Sequence, residues 1–289
     1  MSHTSEENAP SRVWVKVRAG DSYTIKWGKE IVRFLENRGV EVYVDPLLGY
    51  SVNAKVLPET RLESLDMAII VGGDGTLLRT VQKSKGVIPP ILGFSAKSLG
   101  FFFEHNVENF RGVLEKVLRG AYKIYNVSLG GFAAGNVRGV FLNEVSLWAE
   151  NGKVIEYELE VEGEKIYHAR SDGIIINTPA GSTGHALSYN SPIFFCWERR
   201  LLSFIPVGAL SPLIKPIVVA ETPIKIRLLT WPALLIADGQ RRLELKSGSV
   251  ITATPGAATL GLVYTEGPLI TPEKIRERLF DRGFSTIGG

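Results

Sequence analysis

The stretch "MAIIVGGDGTLLRT", residues 67–80, decides how the chain is read. It opens on a continuous apolar run, the pattern of a parallel strand covered on both faces. Three glycines then surround one carboxylate, Asp74, and "TLLRTVQKSK" begins a helix. A strand that ends in Gly72, Gly73, Asp74, Gly75 and Thr76 and enters a helix has the geometry that holds phosphates: backbone N–H groups point outward and glycines admit the ligand. The dinucleotide fingerprint G-x-G-x-x-G would need glycine where Leu78 stands, and no Gly-Lys-Ser/Thr follows to make a P-loop. A carboxylate at this place is costly for simple phosphate binding. It points to a second task, accepting the proton of an attacking hydroxyl or holding a cation that bridges phosphates. The alternative is a tight turn in which Asp74 caps the helix through backbone N–H bonds.

On either side, strand and helix alternate. "RVWVKVRA" is strand-like, and "DSYTIKWGKEIVRFLENRG" carries Ile25, Ile31, Val32, Phe34 and Leu35 at helical spacing with Gly39 at the C-cap. "VEVYVD" and "PPILGFS" read as strands and "VENFRGVLEKVLRG" as an amphipathic helix. Residues 1–120 are therefore expected to form a Rossmann-like open α/β sheet. From Tyr122 the texture changes to short β-type segments with Gly, Asn-Gly or Asp-Gly turns, so residues 121–262 are expected to form a mostly β domain. Thr271, Pro272 and Glu273 start a helix in residues 263–289, expected to pack back on the first domain.

The chain has 289 residues, 45% of them hydrophobic, enough for sizeable cores. Net charge is +3, from 33 basic and 30 acidic residues without a long block of one sign, which leaves no electrostatic footprint for nucleic acid. The sequence shows no run of 18 apolar residues, and its polar, acidic start is unlike a signal or transit peptide. Together with the single cysteine, Cys196, this makes a cytoplasmic protein with no membrane partner the expectation. His3, His105, His168 and His185 lack zinc-site spacing, so no protein-held metal is expected.

A second constellation lies in "SDGIIINTPAGSTGHALSYNSP", residues 171–192. An apolar strand breaks at Asn177, Thr178 and Pro179 and enters a helix whose first turn holds Ser182 and Thr183, offering hydroxyls and N–H groups to a polar ligand. An ordinary helix N-terminus is the other reading. A nucleophile elbow would need glycine where Ala180 stands, which removes the hydrolase class. "FLNEVSLW" sets Asn143 and Glu144 side by side in an apolar strand, where at least one is buried unless the strand ends or bends there. In "IADGQRR", Asp238 and Gly239 read as a hairpin turn.

"GGDGTLL" resembles a signature shared by NAD kinases, the lipid kinases of the diacylglycerol and sphingosine group and, more loosely, phosphofructokinases, all of which phosphorylate an alcohol. Ser-Asp-Gly followed by Thr-Pro-x-Gly-Ser-Thr is similar to the NAD-kinase pattern, which the lipid kinases lack, with Gly184-His185 in place of the usual Ala-Tyr. "PILGFSAKSLGFFFE" resembles a further family segment at Gly93, Leu99, Gly100 and Phe101, with Ser95 for Asn and Lys97 for Gly; Lys97 either adds a cation near phosphates or points to solvent.

The resemblance implies the NAD-kinase two-domain architecture and phosphorylation of the 2′-hydroxyl of the adenosine ribose of NAD to give NADP. Asp74 would be the base, Gly72, Gly73, Gly75 and Thr76 would contact donor phosphates, and Phe101, Asn143, Glu144, Asp172, Ser182, Thr183, His185 and Asp238 would bind NAD. It further implies ATP, another nucleoside triphosphate or polyphosphate as donor, Mg²⁺ entering with that donor, and a homodimer or homotetramer. Another kinase of this motif with a lipid or sugar acceptor, or a non-catalytic NAD sensor, are the alternatives.

Overall fold

The computed structural model describes residues 9–96, 100–230 and 232–281; His3, Lys97 and Leu99 lie outside them. The chain divides into two units, residues 1–126 with 260–289, and residues 127–259.

The first unit runs β1 (Arg12–Val17), α1 (Ser22–Glu36), β2 (Glu41–Val44), α2 (Pro46–Gly49), β3 (Lys55–Val56), β4 (Met67–Gly72), α3 (Asp74–Ser84), β5 (Ile91–Ser95), β6 (His105–Asn106) and α4 (Phe110–Val117). Its strands pair in parallel in the order β3-β2-β1-β4-β5, with β6 beside β5. The helix α1 starts where Asp21 accepts the N–H groups of Tyr23 and Thr24 at 3.1 and 3.4 Å. It stops at Gly39, whose φ of 78° lets the Val40 N–H reach Leu35 O at 3.2 Å. Its buried face, Ile31, Val32, Phe34 and Leu35, packs with Val13, Val15, Ile69 and Val71 of the sheet. Each such side chain stabilises the fold by roughly 1.5–3 kcal/mol. All of β4 is buried, as its unbroken apolar run requires. The connections after β1 and β4 leave to opposite sides, so the carboxyl ends of these neighbours form the switch point at which open α/β sheets bind ligands. Gly72 ends β4 there.

The chain enters the second unit through β7 (Lys123–Ala134) and continues as β8 (Val137–Phe141), β9 (Glu144–Ala149), β10 (Ile155–Val161), β11 (Glu164–Ser171) and β12 (Gly173–Asn177). Then come β13 (Leu201–Val207), β14 (Ile217–Ala220), β15 (Ile224–Leu228), β16 (Ala233–Ala237), β17 (Arg241–Leu245) and β18 (Val250–Tyr264), followed by α5 (Pro272–Arg276). One antiparallel sheet has the order β14-β13-β12-β9-β16-β17; β11, β10, β15 and the start of β18 form a second antiparallel arrangement. Leu147, Ile174, Ile176 and Phe204 of the first share one core with Tyr157, Leu159 and Ile226 of the second. The end of β18 belongs to the first unit, where Leu262 and Val263 pair with Ile91 and Leu92.

Two local expectations need correcting. The segment "FLNEVSLW" is not one strand: β8 stops at Phe141 and β9 starts at Glu144, with Asn143 in the break. The helix expected at Ser182 is two short 3-10 turns, Ala180–Thr183 and His185–Tyr189, interrupted at Gly184 with ψ of −140°. The N-cap Pro179 provides no capping side chain, and glycine at 181 and 184 favours a tight turn over a helix.

Gly93 sits in β5 against the ring of Phe103, where an added Cβ would come within 1.9 Å of Cδ1. Gly93→Ala is therefore expected to destabilise the protein by roughly 1–3 kcal/mol. Urea unfolding measures this, and an unchanged midpoint would refute the tight fit.

Candidate functional site

In the first unit Asp74 is the first residue of α3, with Gly73 in extended conformation as the cap and no side-chain cap bond. A negative charge in a first helical turn is favoured by the helix dipole. Its carboxylate accepts the N–H of Phe101 at 2.8 Å on Oδ2 and of Phe102 at 3.3 Å on Oδ1. This loop follows β5, which pairs with β4 up to Gly72 opposite Ser95, and the Ala96 N–H closes the register on Gly72 O at 3.1 Å. Gly100 is needed at the approach, because a Cβ there would lie 2.1 Å from Asp74 Oδ1.

The glycines of the turn differ. Gly72 lies under Thr76, whose Oγ1 would be 2.4 Å from an added Cβ. Gly73 and Gly75 have no described atom within 4 Å of such a Cβ, and neither has a positive φ. Neither packing nor backbone conformation asks for glycine at these two positions. They leave clearance in front of the N-terminus of a helix that offers N–H groups to an anion.

In the second unit the turn between β16 and β17 has positive φ at Asp238 (50°) and Gly239 (66°), and the Gln240 N–H bonds to Ala237 O at 2.9 Å. This is the hairpin the sequence implies. The turn also delivers a carboxylate inward: Asp238, 3% exposed, accepts the N–H groups of Leu142 (2.8 Å), Asn143 (2.8 Å) and Glu144 (3.1 Å). Asp238 thus holds the break between β8 and β9. On the same break the Thr178 hydroxyl donates to Leu142 O at 2.5 Å, and Gly181 approaches so closely that a Cβ would meet Asn143 O at 2.0 Å.

Within this frame Asn143 Oδ1 and Glu144 Oε2 are buried without a hydrogen-bond partner among the described residues. Buried polar atoms are seldom left unpaired, and two on adjacent residues mark a place built for donors from outside. Burial, reinforced by the Asp238 charge, pushes the Glu144 carboxyl up to about 8. Near neutral pH it is mostly protonated, able to give one hydrogen bond as well as accept others.

The remaining expected residues divide. Ser182 is fully buried and uses its hydroxyl internally, donating to Pro179 O at 2.7 Å and accepting the Phe194 N–H at 3.1 Å. Thr183 is also buried, and its hydroxyl reaches Ala180 O at 3.4 Å. Both shape the turn beside Asn143. Asp172 precedes β12, whereas this turn follows it, on the order of 16 Å further along the strand. Asp172 is exposed and leans on Gly208, where a Cβ would come 2.1 Å from Oδ2. His185 is exposed and stacks near Trp148 (centroids 6.0 Å apart) and edge-on to Tyr189 (5.4 Å). The Trp148 ring in turn covers Gly173, with Cε3 2.6 Å from a hypothetical Cβ. Trp148 and Tyr189 escape a reading by motif; the i, i+4 spacing of His185 and Tyr189 was the available signal for one of them.

The pH dependence of folding reports on Glu144. Its proton stays bound to about pH 8 in the folded protein but leaves near the ordinary 4.5 when unfolded, so stability falls as pH rises across that window. Glu144→Gln, which mimics the protonated acid, is expected to unfold like the parent near pH 4.5 and to exceed it by roughly 2–4 kcal/mol at pH 9. Parallel stability profiles for the two proteins would refute the buried, protonated carboxyl.

Comparison with known proteins matches both halves. The ATP-NAD kinase N-terminal domain model matches residues 13–122 and the ATP-NAD kinase C-terminal domain model residues 142–265. The NAD kinase of Methanothermobacter thermautotrophicus is 30% identical over 286 residues, covering 96% of this chain and 99% of that one. The NAD kinase of Geotalea daltonii is 30% identical over 255 residues, 83% of this chain and 88% of its own. Among solved structures, an NAD kinase from Archaeoglobus fulgidus in complex with ATP aligns with a TM-score of 0.72 at 27% identity, covering 95% and 99% of the two chains. Yeast NADH kinase complexed with NADH shares the fold, with a TM-score of 0.85 at 19% identity over 95% of this chain and 89% of that one. Domain models that match residues 13–122 and 142–265, and a relationship that runs the length of both chains, make this protein a member of the NAD kinase family.

Proposed function

We infer that the protein transfers the terminal phosphoryl group of a donor to the 2′-hydroxyl of the adenosine ribose of NAD, giving NADP. The observation that carries this reading is the open space over Gly73 and Gly75, set on either side of Asp74 at a helix N-terminus. Donor phosphates approach the exposed N–H groups there, and Asp74 accepts the proton of the attacking alcohol. A ribose hydroxyl is far too weak an acid to be ionised by an ordinary carboxylate, so the proton moves only as the O–P bond forms. Alignment and neutralisation of phosphate charge then supply most of the rate.

The acceptor side rests on the unpaired oxygens of Asn143 and Glu144, which suit the hydroxyls and amine of an adenosine group. The exposed ring of His185, beside the partly buried Trp148 and Tyr189, offers a flat face to a nucleotide base. ATP, which the Archaeoglobus structure holds, is the proposed donor. Asp74 is a hard oxygen donor beside the phosphate-binding turn, the ligand type magnesium takes, and Mg²⁺ bound mainly by the donor would offset phosphate charge. No helix among the described residues is long and apolar enough to cross a membrane, and action in the cytoplasm is part of the proposal. So is a homo-oligomer: the exposed Leu210, Leu213 and Val218 are apolar surface that assembly would cover.

The test is one incubation of protein, Mg²⁺ and NAD with ATP, other nucleoside triphosphates or polyphosphate, reading NADP with an NADP-specific dehydrogenase. Diacylglycerol and fructose 6-phosphate serve as competing acceptors, and failure to form NADP with any donor overturns the proposal. Asp74→Asn is expected to lower kcat by about 10²-fold or more while NAD still binds; turnover near that of the parent would remove Asp74 from the chemistry. Gly75→Ala is expected to keep or raise stability, by up to about 1 kcal/mol, while raising the KM for the donor about tenfold. Unchanged kinetics in that variant would mean that the clearance serves no ligand.

A further inference from the structure

The C-terminal segment reaches the loop that holds Asp74. The helix α5 is capped by Thr271, which accepts the Lys274 N–H at 3.1 Å, and Ile275 is buried beneath it. Lys274 is ion-paired with Glu104 and donates to Pro268 O at 2.7 Å. One turn further on, Arg278 Nη1 donates to the carbonyl of Phe101 at 2.6 Å, and its guanidinium lies 6.0 Å from the Phe101 ring centroid. The same segment lines a cavity of about 590 Å³ with Glu104 and His105, and Lys274 and Arg278 are among its walls.

The Phe101 carbonyl and the Phe102 N–H belong to one planar peptide group. That N–H donates to Asp74 Oδ1, while the preceding N–H, of Phe101, donates to Oδ2. A cation donating to one end of an amide polarises it and strengthens donation from the other end. The guanidinium therefore acts on the carboxylate through one intervening peptide, and it fixes the plane in which that peptide lies.

We propose that Arg278 is a positioning residue for phosphoryl transfer, setting the orientation of the Asp74 carboxylate through the peptide between Phe101 and Phe102. The proposal rests on the reading of Asp74 as the base. Nothing in the immediate sequence of the glycine turn encodes it, because Arg278 follows Asp74 by 204 positions.

The experiment is a double-variant cycle in the full-length protein with Arg278→Ala, Arg278→Lys and Asp74→Asn, measuring NADP formation, thermal unfolding and NAD binding. Arg278→Ala is expected to lower kcat by about tenfold. Arg278→Lys, which keeps a cationic donor, should recover at least a third of the parent kcat. Because Arg278 acts through Asp74, adding Arg278→Ala to Asp74→Asn should cost less than a further twofold. A merely structural role would instead multiply the two losses and lower the unfolding temperature in step. Arg278→Ala within twofold of the parent, or multiplied losses in the double variant, overturns the proposal while leaving NAD kinase activity intact. Should Arg278→Ala fail to fold, Arg278→Gln, which removes the charge but keeps much of the side chain's length, and its combination with Asp74→Asn decide by the same coupling: a kcat within twofold of the parent, or losses that multiply in the double variant, overturns the proposal. A parent that forms NADP with an Asp74→Asn variant as active as itself would instead remove the role of Asp74 on which the proposal depends.

Discussion

The parallel pairing of β4 with β5 is the constraint on which the arrangement around Asp74 depends. It sets Gly72 opposite Ser95 and lets the chain after β5 run beside the N-terminus of α3. Two consecutive N–H groups of that loop then meet the two oxygens of Asp74. A slip of this register by one residue would exchange the two buried faces of β5 and carry both donors out of reach. The carboxylate takes both of these bonds from the neighbouring loop, and its direction therefore depends on the sheet.

The second unit handles its carboxyl groups in a different way. Asp238 is buried, and three backbone N–H groups converge on its carboxylate. Its charge then weighs on Glu144, whose own burial already disfavours a second charge. One acid organises the backbone and the other keeps its proton, so neighbouring residues of like chemistry take different tasks. The break between β8 and β9 that presents Asn143 exists because Asp238 and Thr178 satisfy its backbone from outside the strand.

Much of this was legible in the sequence where one residue type had one physical use. The buried run of β4, the Asp-Gly hairpin and the Thr-Pro start of α5 all lie where composition and turn chemistry place them. β13 was not legible, because Pro206 argues against a strand. The structure tolerates it because β14 pairs only as far as Phe204, which leaves Pro206 beyond the paired stretch on that side. Ser182 offered a hydroxyl that looked available, but only the fold reveals Pro179 and Phe194 as its partners. The role of Asp238 as a backbone clamp was equally hidden, since the residues it holds lie far back in the sequence.

The first unit is discontinuous in the chain, and this bears on how the protein is made. On a ribosome β5 emerges with Ile91 and Leu92 lacking the strand that will lie beside them, and that strand arrives only after the whole second unit has been synthesised. The later unit is contiguous and has all of its own strands in hand first, so it is placed to fold ahead of the one that precedes it, contrary to the usual order of translation. A nascent chain released early would expose an unfinished sheet edge, the kind of surface that chaperones cover.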